Sequence, residues 1–123
     1  PYPMSYEPDM GAHHRRYLKQ EDWEAVQRAV LENNPEYSEI FPDILGQKCF
    51  YNYNIILARK EVLWEYCSWL FPILERVEQI SIPKGTERAD RYIGYVAETL
   101  ETLYFMFHKD RLNILHTGCR FIN

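Results

Sequence analysis

The stretch "NIILARKEVLWEYCSWLFPILERVE", residues 54–78, holds the strongest helical pattern in the chain and places a proline inside it. Glu61, Glu65, Ser68, Pro72, Glu75 and Gln79 recur at steps of three or four residues and form one polar stripe. Val62, Leu63, Tyr66, Cys67, Leu70, Ile73, Leu74 and Val77 fill the other faces. Pro72 therefore belongs to the polar stripe. Its missing N–H leaves the Ser68 carbonyl unpaired where water can reach it, whereas on the apolar face the same carbonyl would be a buried, unmet acceptor. The pattern predicts one bent helix over 60–79 with Pro72 outward. Trp64 and Trp69 lie off the centre of the apolar stripe, which suggests that both sides of the helix are covered. The clean apolar run around Pro72, "WLFPIL", is far too short to span a bilayer.

Around this helix the chain has material for one modest core: 123 residues, of which 46% are hydrophobic. Residues 1–18, with Pro1, Pro3, Pro8 and Gly11, read as an N-terminal arm or loop, and residues 19–123 as a helical module. A first helix is expected from Lys19 or Gln20, with Trp23, Val26, Ala29 and Val30 inward and Asn33, Asn34 and Pro35 ending it. A short helical piece follows over "PEYSEIFPDIL", with Tyr37, Ile40, Phe41 and Ile44 inward. "KCFYNYNIILA" is aromatic and β-branched enough for a strand. A third main helix is expected from Glu87 to about His108, and the tail "RLNILHTGCRFIN" could add a second strand. The fold class read from the chain is mainly α, a three-helix-dominated module with two short strands.

A net charge of -4 argues against a protein that grips a nucleic-acid backbone, so no nucleic-acid partner is expected. Cys49, Cys67 and Cys119 form no C-x-x-C pair, which favours a reducing, cytoplasmic compartment over a disulfide scaffold. The opening "PYPMSYEPDMG" suggests a processed product or a fragment.

Three groups of residues could carry chemistry. In "ERADRYIGYVAETLE", Arg91, Gly94 and Glu98 lie close to one face of a helix, with Arg91 and Glu98 roughly 10 Å apart along its axis. Gly94 either lets a ligand approach between cation and carboxylate, or permits a close helix crossing while Arg91 pairs with Glu87. In "HHRRYL", His13 and His14 diverge too much to chelate a metal well, while Arg15 or Arg16 could contact a phosphate or simply face water. Asn54 could meet a sugar hydroxyl through its amide or serve as a strand edge.

"HHRRYL", "NPEYSEIF", the 54–78 stretch and "RYIGYVAETLETLYF" together resemble the carboxy-terminal half of the DUF4422 family, bacterial proteins regarded as glycosyltransferases of surface-polysaccharide synthesis. The resemblance covers roughly residues 13–107. It implies the acceptor-side part of a GT-A-like glycosyltransferase that moves a sugar from a nucleotide-sugar donor to a saccharide acceptor, and that is inactive without its Rossmann-like donor-binding half. It further implies Glu98, or else Asp90, as a general base oriented by Arg91. Asn54, Gly94 and the segment His13, His14, Arg15 and Arg16 would be substrate-binding. A divalent cation, Mn or Mg, would be held mainly by the other half, since no D-x-D triplet occurs in this chain. Tyr51 and Thr99 stand where the family often has histidine and arginine. Those departures motivate the alternative, a non-catalytic helical module that binds carbohydrate or protein.

Overall fold

Helix α4, Lys60–Ile80, is the longest element, and the proline inside it faces solvent. Glu61, Glu65, Ser68, Pro72, Glu75 and Gln79 are all exposed, while Tyr66, Leu70, Ile73 and Val77 are buried. The helix tolerates Pro72 because the carbonyl it orphans lies on the wet side. Pro72→Ala is accordingly expected to change stability by less than about 1 kcal/mol in urea denaturation; a loss beyond about 3 kcal/mol would mean the outward face matters to packing.

The computed structural model describes residues 2–3, 8–51, 55–82, 91–117 and 122. Before α4 come α1 (Met10–Tyr17), α2 (Gln20–Leu31), a 3-10 turn (Pro35–Glu39) and α3 (Ile40–Gly46); after it comes α5 (Tyr92–Phe107). Helix α2 packs on α4, α4 on α5, and α3 on both α1 and α5. The core runs between them through Val26, Val30, Ile44, Val77, Val96 and Leu100, all fully buried.

Residues 10–17 are helical rather than part of an extended arm. Asp9 caps α1 by accepting from the Ala12 N–H at 2.7 Å, and Met10 anchors the helix in the core at 1% exposure. Gly11 is needed there: a Cβ would come within 3.3 Å of the Leu45 carbonyl oxygen of α3. Pro42 does not break α3 because it sits in the first turn, where its N–H would have no helical partner.

The expected strands and the GT-A-like architecture are corrected. Among the described residues the fold is essentially all helical, and its only β pairing is an antiparallel contact two residues long, Tyr2–Pro3 (β1) against Cys49–Phe50 (β2). Residues 55–59 and 113–117 are extended without forming a strand. The physical reason is visible at Tyr51: its N–H is taken by the Thr102 hydroxyl of α5 at 2.8 Å, so a helix side chain satisfies the backbone where a neighbouring strand was expected.

Helix α5 is the central element. Val96 and every residue from Thr99 to Phe105 are buried, so it is covered on all sides. Polar groups in its middle are therefore enclosed, which sets up the chemistry below.

Candidate functional site

Where α5 is covered by the two extended segments, the cover is incomplete. A cleft of about 750 Å³ opens between residues 55–62, the Glu101–Phe105 turn of α5 and residues 111–117. Glu101 and Phe105 line it from α5, Ile56 and Val62 from one side, and Leu112 and Ile114 from the other. Tyr51 closes one end, its ring edge-on to Phe105 at 5.9 Å and stacked on His116 at 5.5 Å. On the rim Ile55, Leu57 and Leu115 stand 77%, 101% and 81% exposed, an unusual concentration of apolar side chains in water.

One ionisable group is enclosed with these apolar walls. Glu101 is 3% exposed, and its Oε2 has no hydrogen-bond partner. Burial, reinforced by the neighbouring Glu98 carboxylate, pushes its pKa up to about 7. Near neutrality the cleft thus holds a carboxyl poised between an O–H donor and an anion. Arg111 lies on the same rim, held by Glu65 through two contacts at 2.6 and 3.2 Å. Arg59 is exposed beside it.

A second recess, about 690 Å³, lies between the end of α1 and the start of α2. His14, Arg15 and Arg16 line it together with Lys19, Glu21 and Trp23. His14 is buried edge-on against Trp23, 4.3 Å between ring centres. Burial, aided by the positive charges of His13 and Arg15, lowers its pKa to about 4, so the imidazole is neutral.

The residues expected from sequence are only partly brought together. His14, Arg15 and Arg16 share the second recess, but His13 turns to stack near Tyr17, 4.7 Å between centres, and does not line it. Arg91 is exposed at the N-terminal cap of α5, and Glu98 is half-buried two turns on; neither lines the cleft or the recess. A Cβ at Gly94 would meet nothing within 4 Å, so no helix crosses there. Asn54 and Asp90, like Glu87, lie outside the described residues. Trp64 is 73% exposed, whereas Trp69 joins an aromatic stack with Tyr37 and Tyr104, at 5.4 and 5.0 Å.

Glu101 was not among the sequence candidates. The signal for it was present: in "YVAETLETLYF" apolar residues occur on every side of the helix, so a carboxylate in the middle had nowhere wet to point. Reading only the richest apolar face hid this.

The glycosyltransferase reading does not survive the geometry. The described residues form no sheet beyond the two-residue pairing, and no group of three His, Cys, Asp or Glu side chains among them is placed to hold a metal ion. No helix among them is long and apolar enough to cross a membrane. Compared with known proteins, residues 1–110 match the model of DUF4422, a domain of unknown function. No curated protein and no solved structure matches.

Proposed function

We propose that this chain, which belongs to the DUF4422 family, serves as a non-catalytic helical binding module whose cleft takes an apolar, extended segment of a partner protein. The observation that carries this is the pairing of the exposed apolar rim, Ile55, Leu57 and Leu115, with an enclosed carboxyl that has an unmet oxygen. Apolar side chains entering between Val62, Phe105 and Ile114 would gain roughly 25 cal/mol for each Å² removed from water. A lysine among them would complement Glu101, ionising it by supplying the charge partner that burial denies it. Sugar rings, which present hydroxyls on most edges, would leave many of those groups facing aliphatic walls, so a protein segment fits better than carbohydrate.

The test uses a fluorescent peptide of alternating leucine and threonine with one central lysine, titrated by anisotropy. Binding should weaken at least about tenfold when Leu57 and Leu115 are both changed to Ser, about 1.4 kcal/mol or more. Both positions are solvent-exposed, so the fold should be retained. Undiminished binding by that double variant, or binding of a saccharide panel in place of the peptide, would overturn the reading.

A further inference from the structure

The recess between α1 and α2 has a different chemistry from the cleft, and the proposed partner segment makes no use of it. Three cationic side chains, Arg15, Arg16 and Lys19, stand exposed around it against one carboxylate, Glu21. Helix α2 starts at its edge, and Lys19 at the N-cap supplies no side-chain acceptor, so first-turn N–H groups remain for another acceptor. A helix of 12 residues also presents the positive end of its dipole there.

The independent observation is His14. It lines the recess, it is 94% buried by its 6% exposure, and its Nε2 has no hydrogen-bond partner. An enclosed polar nitrogen left unmet is disfavoured by roughly 1–3 kcal/mol unless something outside the chain completes it. Trp23 holds the ring from behind at 4.3 Å, leaving the recess as the side from which a partner can come.

We infer that this recess is a binding site for a small phosphate-class oxyanion, held by His14, Arg15, Lys19 and the first turn of α2. The neutral imidazole, carrying its proton on Nε2, donates to one oxygen. A partial turn about its Cβ–Cγ bond, a broad torsion, exposes that nitrogen to the recess. The Arg15 guanidinium offers a two-pronged donor that suits a tetrahedral oxyanion, and Lys19 adds a point charge. Arg16, 5.5 Å over the Tyr17 ring, lends long-range charge at the rim. Glu21 opposes the ligand and limits how tightly it is held.

The test is calorimetry of the whole chain with inorganic phosphate and pyrophosphate, with acetate as a control anion, alongside the ring-nitrogen resonances of His14. Phosphate or pyrophosphate should bind at millimolar concentration or below and move the His14 Nε2 resonance, while acetate should not. Arg15→Gln combined with Lys19→Gln should weaken binding at least about tenfold. Both side chains are exposed, so these changes should leave the helical circular dichroism unaltered. Glu21→Gln should tighten binding. The inference is overturned if the His14 resonances ignore both anions, if acetate does as well as phosphate, or if the double variant binds as the parent does.

Discussion

Replacing Glu101 by Gln is expected to stabilise the fold at about pH 8 by roughly 2–3 kcal/mol and to leave it nearly unchanged near pH 4.5. The folded-state pKa of Glu101 is raised, to about 7 from an ordinary 4.5. Between those values the folded chain keeps a proton that the unfolded chain has released, so stability falls as pH rises through this window and the full penalty is present above it. Below pH 4.5 both states are protonated and the group contributes nothing to the pH dependence. Gln mimics the neutral acid and removes the ionisation. The groups around Glu101 are Glu98 on its own helix, the rings of Tyr51 and Tyr66, and Arg59 and Arg111 on the cleft rim.

His14 acts in the opposite sense. Its pKa is lowered, to about 4 from 6.5, so the stability it permits is fully present above 6.5 and is lost as pH falls toward 4. From pH 4.5 to 6.5 the two slopes cancel, and their joint contribution is flat. The Glu101→Gln variant should therefore expose the His14 slope, gaining roughly 3 kcal/mol between pH 4 and 6.5 where the parent hardly changes. Guanidinium denaturation of both chains across that range is the measurement. Parallel curves for the two would show that Glu101 ionises as freely folded as unfolded.

The second large effect is expected at Tyr37. This ring is 2% exposed, lies over Phe107 with centres 4.0 Å apart and planes 17° apart, and stacks on Trp69 at 5.4 Å. Its hydroxyl meets His108 Nε2 at 3.1 Å. Tyr37→Ala should cost about 3–5 kcal/mol, the range for emptying a large aromatic site, because the 3-10 turn reaches the ends of α4 and α5 through this one side chain. Tyr37→Phe keeps the stack and loses only the hydroxyl contact, about 1 kcal/mol. Thermal or denaturant unfolding of the pair separates stacking from hydrogen bonding. A loss below about 1 kcal/mol for the alanine variant would show that the neighbours close the gap.

Helices α2 and α4 were legible because their apolar positions keep strict helical spacing and their ends carry stop signals. Even the proline of α4 was readable, since its register in the polar stripe determines which carbonyl it orphans. Helix α1 was hidden by Pro8 and Gly11, although Asp9 as a cap and Met10, His14 and Tyr17 at helical steps were there to be read. The segment after β2 misled because aromatic and β-branched residues suit any covered extended chain; whether they pair depends on what lies beside them, and Thr102 lies beside Tyr51. The site was least legible. His14, Arg15 and Arg16 are neighbours in sequence and share a recess, but the cleft is assembled from segments about fifty residues apart, a juxtaposition that no local pattern encodes.

The three tryptophans occupy three different settings: Trp23 is enclosed against His14 and Phe41, Trp69 is half-buried in the aromatic stack, and Trp64 stands in water. Optically, the protein carries three reporters that see different things. Emission from Trp64 should respond little to unfolding. Trp23 should shift toward the red as the α1–α2 corner opens, and the near-ultraviolet dichroism of the stack should vanish as α4 parts from α5. Whether the last two signals change together is a direct reading of whether the domain melts as one unit.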